Sequence, residues 1–111
     1  MINRATLVGR VGKDPEQHQL ETGIVVNFSL ATSEKWTDKN GEKQESTEWH
    51  NCKAFGPLAE IIVKYVKKGD LLYIEGKIKT RSWEHDGSTR YATEIVCNVM
   101  QMLGNKPEEF G

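Results

Sequence analysis

Helical periodicity occurs once in this chain, and it decides what the rest must be. From Pro57 to Lys68, the residues Leu58, Ile61, Ile62, Tyr65 and Val66 recur at i, i+3, i+4, i+7 and i+8, a single apolar stripe along one helix face. Pro57 suits the first turn and Gly69 the C-terminal cap. Glu60 and Lys64 form a favourable i,i+4 pair, and Lys67 and Lys68 sit at the negative end of the helix dipole. The other patterned stretches alternate with period two, so the chain is all-β with one helix, and that helix covers the end of a sheet.

The alternating stretches can be counted. Ile2–Val11 alternates weakly and is interrupted by Gly9 and Gly12, the kind of bulge or bend a small barrel requires. Lys13-Asp14-Pro15-Glu16 breaks that strand, and Gln17–Gly23 reads as a polar excursion ending in a turn. Val25–Thr32 is a second strand, followed by a loop whose Asn40-Gly41 pair signals a hairpin. Thr47–Gly56 is a third, Leu71–Trp83 a fourth and, after Asp86-Gly87, Arg90–Met102 a fifth. The last is rather apolar on both faces toward its end, which predicts cover by a second subunit. Five strands with one helix between the third and fourth is the element order of the OB-fold, a five-stranded Greek-key barrel that binds oligonucleotides and oligosaccharides. Residues 1–104 form this domain and 105–111 a short frayed tail.

Two strands suggest the binding face. In Thr47–Gly56, Trp49, Asn51, Lys53 and Phe55 share one face, while His50, Cys52 and Ala54 share the other. Lys53 is costly to bury unpaired, which makes its face the outer one. In Leu71–Trp83, Lys77, Lys79, Arg81 and Trp83 lie opposite the apolar Leu72, Ile74 and Ile78. Rings offer flat surfaces to bases and cations meet phosphates, so this combination fits a single-stranded nucleic acid. Parity places Trp36 with the inward Phe28 and Leu30, yet its neighbours Lys35, Thr37 and Asp38 are polar. Both a core and an exposed Trp36 fit the pattern.

The bulk properties narrow the classes. The 111 residues carry a net charge of −1, unlike a simple basic nucleic-acid binder. The charges are segregated, however, with acids over Glu42–Glu48 and cations over Lys77–Arg81, and binding depends on the local field. No apolar run spans a bilayer and the N-terminus lacks a secretory h-region, so a cytoplasmic protein is expected. Cys52 and Cys97 lack metal-ligand spacing and read as reduced small hydrophobes. His18, His50 and His85 are scattered, no phosphate loop occurs, and neither an enzyme nor a metal or cofactor is expected. The alternative to DNA binding is an OB-fold protein-interaction module of a replication or mobile-element complex.

The strings Ala31-Thr-Ser-Glu-Lys-Trp36, Thr47-Glu-Trp-His50, Phe55-Gly-Pro-Leu-Ala-Glu60, Tyr73-Ile-Glu-Gly76, Thr80-Arg-Ser-Trp83 and Met100-Gln-Met-Leu-Gly104 resemble the bacterial single-stranded DNA-binding protein family, in order and at family spacing. The resemblance implies sequence-independent binding of single-stranded DNA in replication, recombination and repair, in association with the nucleoid, by a homotetramer. Trp36, Trp49, Phe55 and Trp83 match the family's base-stacking aromatics, which implies that Trp36 is exposed. Arg4, Lys39, Lys68, Lys79 and Arg81 match its phosphate-facing cations, and Lys53 and Lys77 join them from the strand pattern. His50 matches a position near subunit contacts. Asn51, Pro57 and Ser82 stand where many members carry Arg or Lys, implying a less charged groove. The family pattern continues through a long linker to an acidic tip that recruits replication and repair proteins. This sequence ends Pro107-Glu-Glu-Phe-Gly111, as a short paralogue or a trimmed domain would.

Overall fold

The computed structural model describes residues 1–104. It contains six strands and one helix: β1 (Ala5–Val11), β2 (Glu16–Leu20), β3 (Gly23–Thr37), β4 (Lys43–Phe55), α1 (Gly56–Tyr65), β5 (Leu71–His85) and β6 (Ser88–Gly104). Five of the strands close on themselves. β1 pairs with both β3 and β5, β3 with β4, β4 with β6 in parallel, and β6 with β5. The barrel order is therefore β1-β3-β4-β6-β5 and back to β1, and α1 carries the chain between β4 and β5, which are not neighbours. This is the OB arrangement the element order predicted.

β2 lies outside the ring, paired only to β3 from Glu16↔Asn27 to Leu20↔Gly23. All five of its residues are exposed. A strand with neither face buried has no hydrophobic alternation to read, which is why the sequence suggests only a polar excursion there.

Closure depends on glycine where strands come closest. A Cβ on Gly9 would collide with the Ala31 carbonyl of β3, and one on Gly76 with the Val96 carbonyl of β6. Gly76 also marks a register shift in β5, the bend that lets one strand serve two sides of a small barrel. The core inside the ring is built from Val26, Leu30, Leu72 and Ile74, capped by Ile62 and Val66.

The helix corrects the sequence reading in two ways. It ends at Tyr65, with Val66 extended at its C-cap, so Gly69 belongs to the following turn and Lys67 and Lys68 lie beyond the last helical residue. The buried side is also rotated. Ala59 and Ile62 are fully buried with Leu58 and Val63 packed beside them, whereas Ile61 and Tyr65 are about half exposed (46% and 54%). The small Ala59 lets the helix approach the barrel closely, and that contact, rather than the largest side chains, sets the inward face. The turn after α1 is tied to β1: the Gly69 N–H donates to Val11 O, the Val11 N–H to Asp70 O, and Arg10 Nη1 to Gly69 O. The buried Asp70 carboxylate accepts the Lys67 N–H at 2.8 Å.

Both predicted hairpins form. Asp86 and Gly87 each have positive φ (51° and 78°), as a two-residue turn of matching twist requires. At Asn40-Gly41 the loop is longer, running from Asp38 to Glu42. It is knotted by the Asp38 carboxylate, which accepts the N–H groups of Asn40 and Glu42 and the Gln44 amide. These bonds, led by that from Glu42, hold the carboxyl of Asp38 below its ordinary range.

Candidate nucleic-acid interface

Strand register places one outer face across β3, β4, β6 and β5. On β4 it carries Trp49, Asn51, Lys53 and Phe55, opposite Ala31, Ser29, Asn27 and Val25 of β3. Across the parallel joint Lys53 faces Val96. On the β5–β6 hairpin the same face continues through Lys79↔Glu94, Arg81↔Ala92 and Trp83↔Arg90. Between these strands and the segment after β1 lies an open cleft of about 320 Å³. Its charged lining is Lys13, Asp14, Glu16, Lys53, Arg81 and Glu94, three cations and three carboxylates.

The aromatics differ in their surroundings. Trp49 is 60% exposed and lies over Gly12, where a Cβ would collide with the ring. Phe55 is also exposed, at the N-cap of α1. Trp83 has the Arg81 guanidinium 4.7 Å from its ring centroid, a cation–π contact that covers one of its faces. Trp36 is exposed, but it is not part of this surface. Beyond Ala31 the strands β3 and β4 pair only with each other, and Trp36 lies opposite Gln44 on the face that carries Phe28 and Leu30 lower down. Parity holds along β3; what ends is the core beneath it. Trp36 and Trp49 thus sit on opposite faces of the β3–β4 pleat.

The cations also divide. Arg4, Lys39, Lys68, Lys77 and Lys79 are exposed. The Lys68 backbone N–H donates to Asp14 Oδ1, which fixes that residue beside the cleft. Arg4 follows Asn3, whose side chain both donates to Ile78 O and accepts the Ile78 N–H, holding the N-terminus against β5. Lys53 and Arg81 are already partnered. Lys53 Nζ lies 2.9 Å from Glu94 Oε2, and Arg81 Nε bonds Glu94 Oε1. The Lys53 side chain is only 22% exposed, so its face is outward as expected, yet an ion pair and not solvent satisfies the ammonium. Burial pushes the Glu94 carboxyl up, but the bonds from Arg81 and Lys53 outweigh it and hold the group below the ordinary glutamate range. Glu94 and Gly12 are the residues that a search for rings and cations passes over. A register counted outward from the Asp86-Gly87 turn sets Glu94 opposite Lys79 and is the sequence signal that could place it on this face, though not beside Lys53.

His50 is half-buried, with Nε2 2.9 Å from Thr32 Oγ1. With Ala5, Leu7, Trp49 and Ile78 it lines a second hollow of about 370 Å³. Cys52 and Cys97 are free and buried side by side; a hydrogen bond between them and burial raise the Cys52 thiol far above its ordinary value. Among the described residues no His, Cys, Asp and Glu group could hold a metal ion, and no helix is long and apolar enough to cross a membrane.

A profile described as the single-strand binding protein family matches residues 2–103. The chain belongs to this family. Curated relatives in it include single-stranded DNA-binding protein 1 of Chlorobaculum tepidum, 52% identical over 95% of this chain and 67% of its own length. The single-stranded DNA-binding protein of Neisseria meningitidis is 48% identical over 99% of this chain and 64% of its own. The chain therefore spans about two thirds of the length of these family members. Among solved structures, a Plasmodium falciparum SSB in complex with ssDNA superposes with a TM-score of 0.84 at 32% identity, covering 93% of this chain and 96% of that one. A deletion mutant of the Thermus aquaticus single-stranded DNA binding protein shares the fold, with a TM-score of 0.80 at 24% identity over 95% of this chain and 52% of that one.

Proposed function

We propose that this family member binds single-stranded DNA without regard to sequence, using the outer face of β4, β5 and β6. The observation that supports this most is the placement of Trp49, Phe55 and Trp83 with Lys53, Lys79 and Arg81 on one surface beside an open cleft. Exposed rings accept any base, since every base has a π-face, at roughly 1–3 kcal/mol per stacked base. Lys77 and Lys79 on this face and Lys68 beside the cleft release counterions from the backbone, with Arg4 ahead of β1 and Lys39 on the β3–β4 arm as further contacts. Duplex DNA is rejected because its bases are already stacked. Trp36 serves as a separate platform on the β3–β4 arm.

The role is protection of exposed strands during replication, recombination and repair, in the cytoplasm and without catalysis. A homotetramer is the working assembly, and it uses surface the cleft does not. Val8 of β1 with Val99 and Leu103 of β6 leave apolar side chains exposed across the β1–β5–β6 sheet, and His50, on the β4 face opposite Trp49, offers a second contact. Recruitment of replication or repair enzymes through an acidic tip is not assigned to residues 1–104, and the tail 105–111 lies outside the described residues.

The test is titration of intrinsic tryptophan fluorescence with oligo-dT at low and high salt. Strong quenching that weakens as salt rises is expected. No quenching at low salt would overturn the reading and favour a protein partner for the same rings.

A further inference from the structure

The cleft carries an arrangement that DNA binding alone does not require. Lys53 on β4 and Arg81 on β5 are two of the three cations that line it, and both are held by one carboxylate, Glu94 on β6. That carboxylate is 12% exposed, while Arg81 remains 58% exposed and stacked on Trp83. A carboxylate gripped by two cations has the charge and hydrogen-bond demand of a backbone phosphate: an anionic oxygen on each side, one accepting from an ammonium and one from a guanidinium. One of those cations, Arg81, lies over Trp83, a ring that a base would cover. We infer that Glu94 is an internal occupant of a phosphate position, and that single-stranded DNA binds this part of the cleft by exchanging a phosphate for the carboxylate. This inference rests on the proposed binding face and adds a residue that tunes it.

The arrangement has a measurable sign. If Glu94 only positioned Lys53 and Arg81, removing its charge would weaken binding. If it competes with phosphate, removal frees both cations and strengthens binding. In the exchange, Glu94→Gln should tighten oligo-dT about three- to tenfold at low salt. It should also steepen the dependence of log K on log salt by roughly 0.7, the increment for one more neutralised phosphate. Lys53→Gln should then cost more affinity in the E94Q background than in wild type, because only there is the ammonium free.

The experiment is the oligo-dT titration of wild type, E94Q, K53Q and the double variant across a salt series, with melting temperatures recorded for each. Tighter, more salt-sensitive binding by E94Q and a larger K53Q effect in that background are expected. Equal or weaker binding by a folded E94Q, or additive effects in the cycle, would overturn the exchange. Should E94Q not fold, Glu94→Asp keeps the charge on a shorter arm that cannot reach both cations, and its failure to tighten binding would overturn the exchange equally. Absence of binding by wild type would instead overturn the binding face itself.

Discussion

The Trp49 ring is braced by Gly12 and opposed to Ala31 across the sheet, but 60% of it faces solvent. Trp49→Ala should therefore weaken oligo-dT binding about tenfold or more while leaving the melting temperature almost unchanged; a protein that unfolds would make the ring a core residue. Glu94 gives a second expectation, on stability alone. Its folded-state pKa is depressed, so its ion pairs contribute stability above the ordinary glutamate value of about 4.3 and lose it as pH falls through the folded value. Thermal melts on acidification should show wild type losing more than E94Q below about pH 4. At this scale Trp49, Phe55, Trp83, Lys77 and Lys79 were legible because strand parity fixes which side chains share a face, whereas the exposure of Trp36 and the choice of Arg4, Lys39 and Lys68 came from the family resemblance alone. The partner of Lys53 was not legible: Glu94 lies 41 residues further on, and only the parallel β4–β6 joint brings the two together.

Among the elements, α1 offers the sharpest check, since its buried side differs from the stripe of largest residues. Ile62→Ala should cost about 2–5 kcal/mol in chemical denaturation, whereas Ile61→Ala should stay within about 0.5 kcal/mol. Equal losses would restore the stripe read from periodicity alone. The element order, the helix and the two hairpins were legible because each has a local signature: a 3.6 period, a two-residue Asp-Gly turn, an Asn-Gly loop. β2 and the outer halves of β3 and β4 were not. They are held by backbone pairing with both faces in water, so burial writes no pattern into their side chains.

For the whole molecule, the exposed Val8, Val99 and Leu103 face bears on assembly. On the proposed homotetramer, Val99→Lys should shift the mass in light scattering toward smaller species without unfolding the domain; an unchanged mass would move the interface elsewhere. The charge distribution of the cleft has a consequence of a different kind, for the timing of encounters. Its lining of three cations and three carboxylates sums to zero, and beyond a screening length of about 8 Å such a set exerts little pull on a polyanion. The lining itself therefore adds little steering, and any electrostatic acceleration of capture falls to the exposed Lys68, Lys77 and Lys79 of the surrounding surface. On the exchange proposed above, Lys53 and Arg81 become available only to a strand already close enough to displace Glu94.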